Sequence, residues 1–427
     1  MGKLTLYKFI IRLESEKGLS IFVCMMNVKD VIKNIRLRWV VLVVLLVFIW
    51  TTMSSPVMGE WYARTVYPVF SAVLSRFSSL FPFSIGDCFI YGSIAGLVVY
   101  LVYAIVKRRP WLRTIGRMAE FLLWVYVWFY MAWGMNYFRM NFYARAEVPY
   151  AAYSEDNFRL FLADYTEALN ASFVPVGKID EAIVAKEVEK SYQEIAGRFG
   201  LVSPATYLHP KPMLVPALMS GVGVLGYMGP FFTEYNLNPD LLPVQYPFTY
   251  AHEMAHVLGI SNEAEANLYG FLVCSRSEVP EIRFSAYFGL LPYVLGNAYQ
   301  LLPEEEFNRW KETISPDVKD AYNRKVAYWQ TLYSPTIGDI QDTVYNWFLK
   351  GNNIPSGPQN YYIVQYQFLD SYFLLTPIPD YMTLRHFKQL KFVQSLLGSD
   401  FLGNSYYRIC KDYQHKGQVF KGSYYHQ

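Results

Sequence analysis

Apolar positions run without a charged interruption in three stretches of the chain's first third: Trp39–Gly59, Cys88–Val106 and Phe121–Phe138. A helix rises about 1.5 Å per residue, so each stretch approaches the thickness of a bilayer's hydrocarbon core, and the pattern predicts transmembrane helices at 39–59, 88–106 and 121–138. Between the first two, residues 60–87 read as a loop with few charges, whose Tyr62, Tyr67, Phe70, Phe77 and Phe81 suit a membrane interface. No small-x-small cleavage site closes the first stretch, and further apolar segments follow, which favours a retained anchor over a secretory signal.

From Pro149 onward the pattern becomes that of a globular domain. Ser154–Ser172 and Asp180–Phe199 place apolar residues at three- and four-residue spacing with acidic residues early, as amphipathic helices do. Met213–Thr233 is uncharged but broken by Gly221, Gly223, Gly226, Gly229, Pro216 and Pro230, which suits strands and turns. Val222–Tyr227 is the expected edge strand, the kind of element on which an extended peptide pairs. Helices are expected at Pro247–Gly259 and Glu263–Cys274. Phe284–Leu302 is expected to be a buried helix rather than a fourth span, because Pro292, Asn297 and Gln300 interrupt it and no basic cluster follows. Polar helices continue through Pro303–Tyr333 with a break at Pro316, and another is expected from Gly338 to Leu349. The fold class that emerges is mainly α, of the α+β kind: a three-helix membrane section and then a domain with a small edge sheet. Its sections are 1–38, 39–140, 141–376 and an unassigned tail, 377–427.

Charge adds an orientation. Eight Lys or Arg lie in residues 1–38, and five more (Lys107, Arg108, Arg109, Arg113, Arg117) lie around the turn after the second span, whereas the loop between the first two spans has only Arg64 and Arg76. The positive-inside rule puts 1–38 and the second loop in the cytoplasm and everything after about residue 140 outside it. Hydrophobic residues at 53% against 17% charged fit a membrane protein, and a net charge of +3 gives no reason to expect a nucleic-acid partner. The four cysteines (Cys24, Cys88, Cys274, Cys410) share no spacing that would make a thiolate metal site or a disulfide framework.

The chemistry concentrates in Ala251-His252-Glu253-Met254-Ala255-His256-Val257-Leu258-Gly259. Residues four apart share a helix face, so His252 and His256 can aim at one point and chelate Zn2+, and a catalytic zinc needs a third protein ligand and an open position. Glu253, on the same turn, is placed to act as the general base of H-E-x-x-H chemistry. Two carboxylates compete as the third ligand. Glu263 and Glu265 are about 200° apart on a helix and cannot both face one ion. With Asn262 as N-cap, Glu265 takes the reciprocal position of a capping box, which leaves Glu263 as the preferred ligand and Glu265 in reserve. Glu263-x-x-x-Asn267 resembles the Glu-x-x-x-Asp pattern of zinc peptidases, and Asn267 is expected to orient an imidazole. Tyr250 and Tyr287 are candidate oxyanion donors, against the plain alternative that both are core residues.

Four stretches resemble the bacterial multi-pass family of domain of unknown function 3810, whose soluble part looks zincin-like. They are Trp133-Gly134-Met135-Asn136-Tyr137-Phe138-Arg139, Gly226-Tyr227-Met228-Gly229-Pro230-Phe231, the H-E-x-x-H segment and Glu263-Ala264-Glu265-Ala266-Asn267. The resemblance covers most of 39–370 and implies a metal-dependent hydrolase in a bacterial cytoplasmic membrane. The expected activity is a membrane-anchored zinc metallopeptidase acting on peptide or protein substrates outside the cytoplasm. The alternative is a zincin-like sensor or scaffold without turnover. An intramembrane protease is disfavoured, because Glu253, Glu263 and Glu265 would all lie at bilayer depth.

Overall fold

A computed structural model describes residues 37–147 and 154–334, the backbone of 8–13 and 20–25, and Asn352. The helix expected at 338–349 and the tail 377–427 lie outside the described residues.

An antiparallel hairpin, β1 (Lys8–Leu13) with β2 (Ser20–Met25), comes first. Helix α1 (Leu37–Met53) ends where Ser55 caps a new helix, α2 (Pro56–Trp61), by accepting from the amide of Met58. A π turn at Tyr62–Val66 runs directly into α3 (Tyr67–Ser78). The chain bends by 110° between α1 and the helical run Pro56–Ser78, so the span expected at 39–59 is not one straight helix. The expected loop at 60–87 is also corrected: it is helical through Ser78. Tyr62 and Tyr67 are fully buried rather than interfacial, their hydroxyls donating to the carbonyls of Met131 (2.8 Å) and Val257 (2.5 Å). Helix α4 (Ile85–Val106) is strongly apolar, and little of it is buried. Among the described residues it is the one helix long and apolar enough to cross a membrane by itself, while α1 with α2 and α3 qualifies as a bent pair. Helix α5 (Trp111–Ala132) carries Arg113, Arg117 and Glu120 in its first half and gives way to a 3-10 turn at Gly134–Phe138. The third expected span, 121–138, thus covers only the end of a helix that starts at Trp111 and stops at Ala132.

The short α6 (Phe142–Ala146) is followed by α7 (Glu155–Ser172) and α8 (Glu181–Phe199), capped by Ser154 and Asp180. Next come β3 (Lys211–Pro212), α9 (Pro216–Gly221), β4 (Gly226–Gly229) and β5 (Glu234–Leu237). The sheet order is β3-β5-β4, with β5 parallel to β3 and antiparallel to β4, so β4 is an edge. The strand expected at Val222–Tyr227 begins only at Gly226, because α9 and a turn through Gly223 (φ +74°) occupy the residues before it. Helices α10 (Tyr246–Val257), α11 (Glu263–Cys274), α12 (Pro280–Leu301), α13 (Glu304–Thr313) and α14 (Pro316–Leu332) follow. Helix α12 packs on α7, α10 and α11 with Phe284, Phe288 and Leu291 buried, as a core helix and not a span. The fold is mainly helical with one small three-stranded sheet beside the helices.

Candidate metal centre

Pro247 fits the first turn of α10, where an amide would have no partner anyway, and every residue from Tyr246 to Val257 is buried. On this helix His252 and His256 stand one turn apart with their Nε2 atoms separated by 3.1 Å. Gly259, at φ +98°, reverses the chain, and a Cβ there would press on Arg139 and Tyr67 at 3.2 Å. Asn262 then caps α11 by accepting from the amide of Glu265 at 3.0 Å. This tight return carries Glu263 to the histidines: its Oε2 lies 3.2 Å from Nε2 of His252 and 3.3 Å from Nε2 of His256. Donors held about 2.05 Å from a tetrahedral zinc stand about 3.3 Å apart, so the three atoms already form one face of that tetrahedron. The Nδ1 atoms are engaged elsewhere, His252 with Asn267 Oδ1 at 2.9 Å and His256 with the carbonyl of Ile260 at 2.7 Å. Those acceptors hold the ring protons on Nδ1 and leave both Nε2 lone pairs turned toward Glu263. The donor set fits a single divalent metal ion.

Glu253 is 5% exposed, and its Oε2 is buried with no hydrogen-bond partner among the described residues. Its side chain lies against β4 so closely that a Cβ on Gly226 would sit 2.7 Å from Glu253 Cγ. Together they border a cavity of about 330 Å3 that also meets His252, Asn267, Phe288 and Tyr293. Burial raises the pKa of Glu253, an effect that the two histidines oppose and Glu263 reinforces. Burial acts the same way on Glu263, but the neighbouring imidazoles outweigh it and hold that carboxyl well below the usual range. An orphaned carboxylate oxygen beside three converged ligands is an arrangement suited to accepting a proton.

Not every candidate residue reaches the cavity. Tyr250 is fully buried against Tyr235 and Tyr246, because two positions before His252 is about 200° around the helix from it. Tyr287 packs against Phe271 and Tyr165 on the core side of α12. Neither lines the cavity. Tyr293, on the same helix as Tyr287, does, and its hydroxyl interacts with Asn267. Burial pushes that hydroxyl up to about 12, so it keeps its proton at neutral pH. Glu265 is not a ligand: its carboxylate turns away and pairs with the buried Arg145. Its amide is capped as expected, but the carboxylate's partner is an arginine from α6, which no local pattern on α11 could announce.

The last carbonyls of α10 and the turn after it are satisfied largely from the N-terminal helices and the turn after α5. Trp133 Nε1 donates to the carbonyl of His256 (2.9 Å), Tyr67 to Val257 (2.5 Å) and Arg139 Nη1 to Gly259 (2.9 Å), while the amide of Val202 donates to Leu258 (3.1 Å). Arg139 also grips Glu60 with Nε and Nη2 at 3.0 and 2.9 Å. A second junction joins α4 to the sheet. Glu234 accepts from Ser84 and from the amide of Gly86 and pairs with Lys211, and Asp87 accepts from Tyr227 of β4.

The structure therefore defines a mainly helical protein with apolar, exposed helices at one end and a buried His-His-Glu cluster able to hold a metal. The profile of the family described as "Protein of unknown function (DUF3810)" matches residues 62–366, and the chain belongs to that family. No curated protein and no solved structure matches it.

Proposed function

We propose that this chain is a zinc-dependent metallopeptidase, zincin-like in its helical domain and anchored by several passes in a bacterial cytoplasmic membrane with its site outside. One observation carries the reading: the Nε2 atoms of His252 and His256 and Oε2 of Glu263 lie 3.1–3.3 Å from one another, the separations of zinc's own ligands. Zinc, when bound by these three residues, supplies Lewis acidity that makes water nucleophilic near neutral pH. Glu253 takes the proton of the attacking water on its unpaired oxygen and returns it to the leaving amide nitrogen. Tyr293, protonated and on the same cavity, donates to the carbonyl oxygen as negative charge builds there. Asn267 fixes the ring of His252, and the open edge of β4 offers main-chain groups to an extended peptide.

The orientation rests on where the domain is tied. It joins the first turn of α4 through Glu234 and the end of α5 through Trp133, whereas Lys107, Arg108 and Arg109 lie at the opposite ends of these helices. Basic loop and site are thus on opposite sides, and the loop's charge favours the cytoplasm. The test is Glu253→Gln in purified full-length protein. Zinc content should stay at the parent level while peptide hydrolysis falls by about 10²–10⁴-fold. Hydrolysis at the parent rate removes Glu253 as the base, and a protein that never binds zinc overturns the reading.

A further inference from the structure

One cation on the cavity wall has no role in the chemistry above. Lys325, from α14, lines the same cavity as His252 and Glu253. No carboxylate pairs with it among the described residues. Its ammonium instead lies over two aromatic rings, 4.7 Å from the centre of Tyr322 and 5.4 Å from that of Phe288, which itself lines the cavity. Aromatic faces hold a cation in place without neutralising it. Burial alone lowers its pKa, to about 8, so it is still mostly charged at neutral pH. A buried ammonium with no counter-ion among the described residues is costly for a purely structural position, where a methionine would fill the space at less expense.

We propose that Lys325 is the anchor of a carboxylate-binding subsite, and that the substrate is a peptide with a carboxylate close to the bond to be cut. The link to a cleaved bond rests on the metallopeptidase reading; the subsite itself does not. The cavity's volume of about 330 Å3 lies at the small end of ligand pockets, which run from about 300 to 1,000 Å3. His252 and Glu253 border the same cavity as the ammonium, so a carboxylate held by Lys325 belongs to the same small ligand as the reacting amide. Two groups share this chemistry: the α-carboxylate at a peptide's C-terminus and the side chain of an internal acidic residue.

The experiment is calorimetric titration of full-length protein in detergent after metal removal, which separates the subsite from catalysis. Three probes are used: N-acetyl-Phe-Ala as the free acid, the same dipeptide as its C-terminal amide, and N-acetyl-Phe-Glu amide. At least one carboxylate probe should bind about tenfold or more tightly than the uncharged amide, the margin expected of a hydrogen bond to a charged group. The tighter of the two carboxylate probes identifies the source. Lys325→Met should erase the preference while leaving the affinity for the uncharged amide unchanged, and Lys325→Arg should retain it in part. Equal binding of all three probes, absence of binding, or a preference that survives Lys325→Met overturns the subsite. If the preference holds while zinc-loaded protein leaves every peptide intact, it is the hydrolytic reading that falls.

Discussion

His252, Glu253 and His256 sit within five residues of one helix, so the spacing alone announces a shared face, and Asn267 follows from a single further turn beyond Glu263. Tyr293 and Lys325 could not be found that way. They reach the cavity from α12 and α14, and which of the three tyrosines on α12 faces a distant metal helix is decided by how the helices pack, not by local spacing. Tyr293→Phe keeps the ring and removes the donor. Peptide hydrolysis by the zinc-loaded variant should fall by about 10–10³-fold in kcat with zinc content unchanged; parent kcat would leave the hydroxyl without a catalytic part. The histidines also predict how the metal-free protein responds to pH. Burial opposes charging His256, but Glu263 overcomes it and raises its pKa to about 9. A raised histidine contributes stability that is complete below its unfolded value of about 6.5 and is lost as pH rises through the folded one. Thermal unfolding of metal-stripped protein should therefore weaken between about pH 6.5 and 9. Zinc-loaded protein should not show this loss, because its imidazoles are already neutral.

At the scale of elements, amphipathic helices with polar caps were legible to within a residue or two. Ser154, Asp180 and Asn262 each accept from an amide in the first turn of the helix they precede. The failures fall where aromatic residues and small polar ones carry no period. The stretch after Met53 hid a helical run bent sharply from α1, whose tyrosines are buried by partners far along the chain, and the amides of Val222–Val224 bond back into α9 rather than to the sheet. The start of α11 shows the same division. Its cap was readable, but Glu265 is committed to Arg145, so Glu265→Ala leaves a buried guanidinium without its counter-ion. The loss should be about 3–5 kcal/mol in denaturant unfolding, well above the ~1 kcal/mol of a lost cap, with zinc still bound by the folded fraction. Glu263→Ala should instead abolish stoichiometric zinc binding. A Glu265→Ala protein that folds normally but holds no zinc would exchange the two roles.

At the scale of the molecule, the basic turn after α4 and the metal centre lie at opposite ends of α4 and α5. A reporter active only outside the cytoplasm should work when fused after residue 145 and be silent after Arg113; the reverse pattern would invert the orientation. Charge bias in the sequence is the ground for that expectation, whereas nothing in the sequence pointed to the joint between the two halves. That joint has a consequence for how such a protein can be used or inherited. The carbonyls of His256, Val257 and Gly259 are satisfied by Trp133, Tyr67 and Arg139, all upstream of the helical domain. A cut between the two halves would not free a self-sufficient domain, because the helix that bears the histidines depends on the severed piece for its last hydrogen bonds. Nor can the domain pass by recombination onto a different anchor, since the new host would have to bring the same tryptophan, tyrosine and arginine to the same carbonyls.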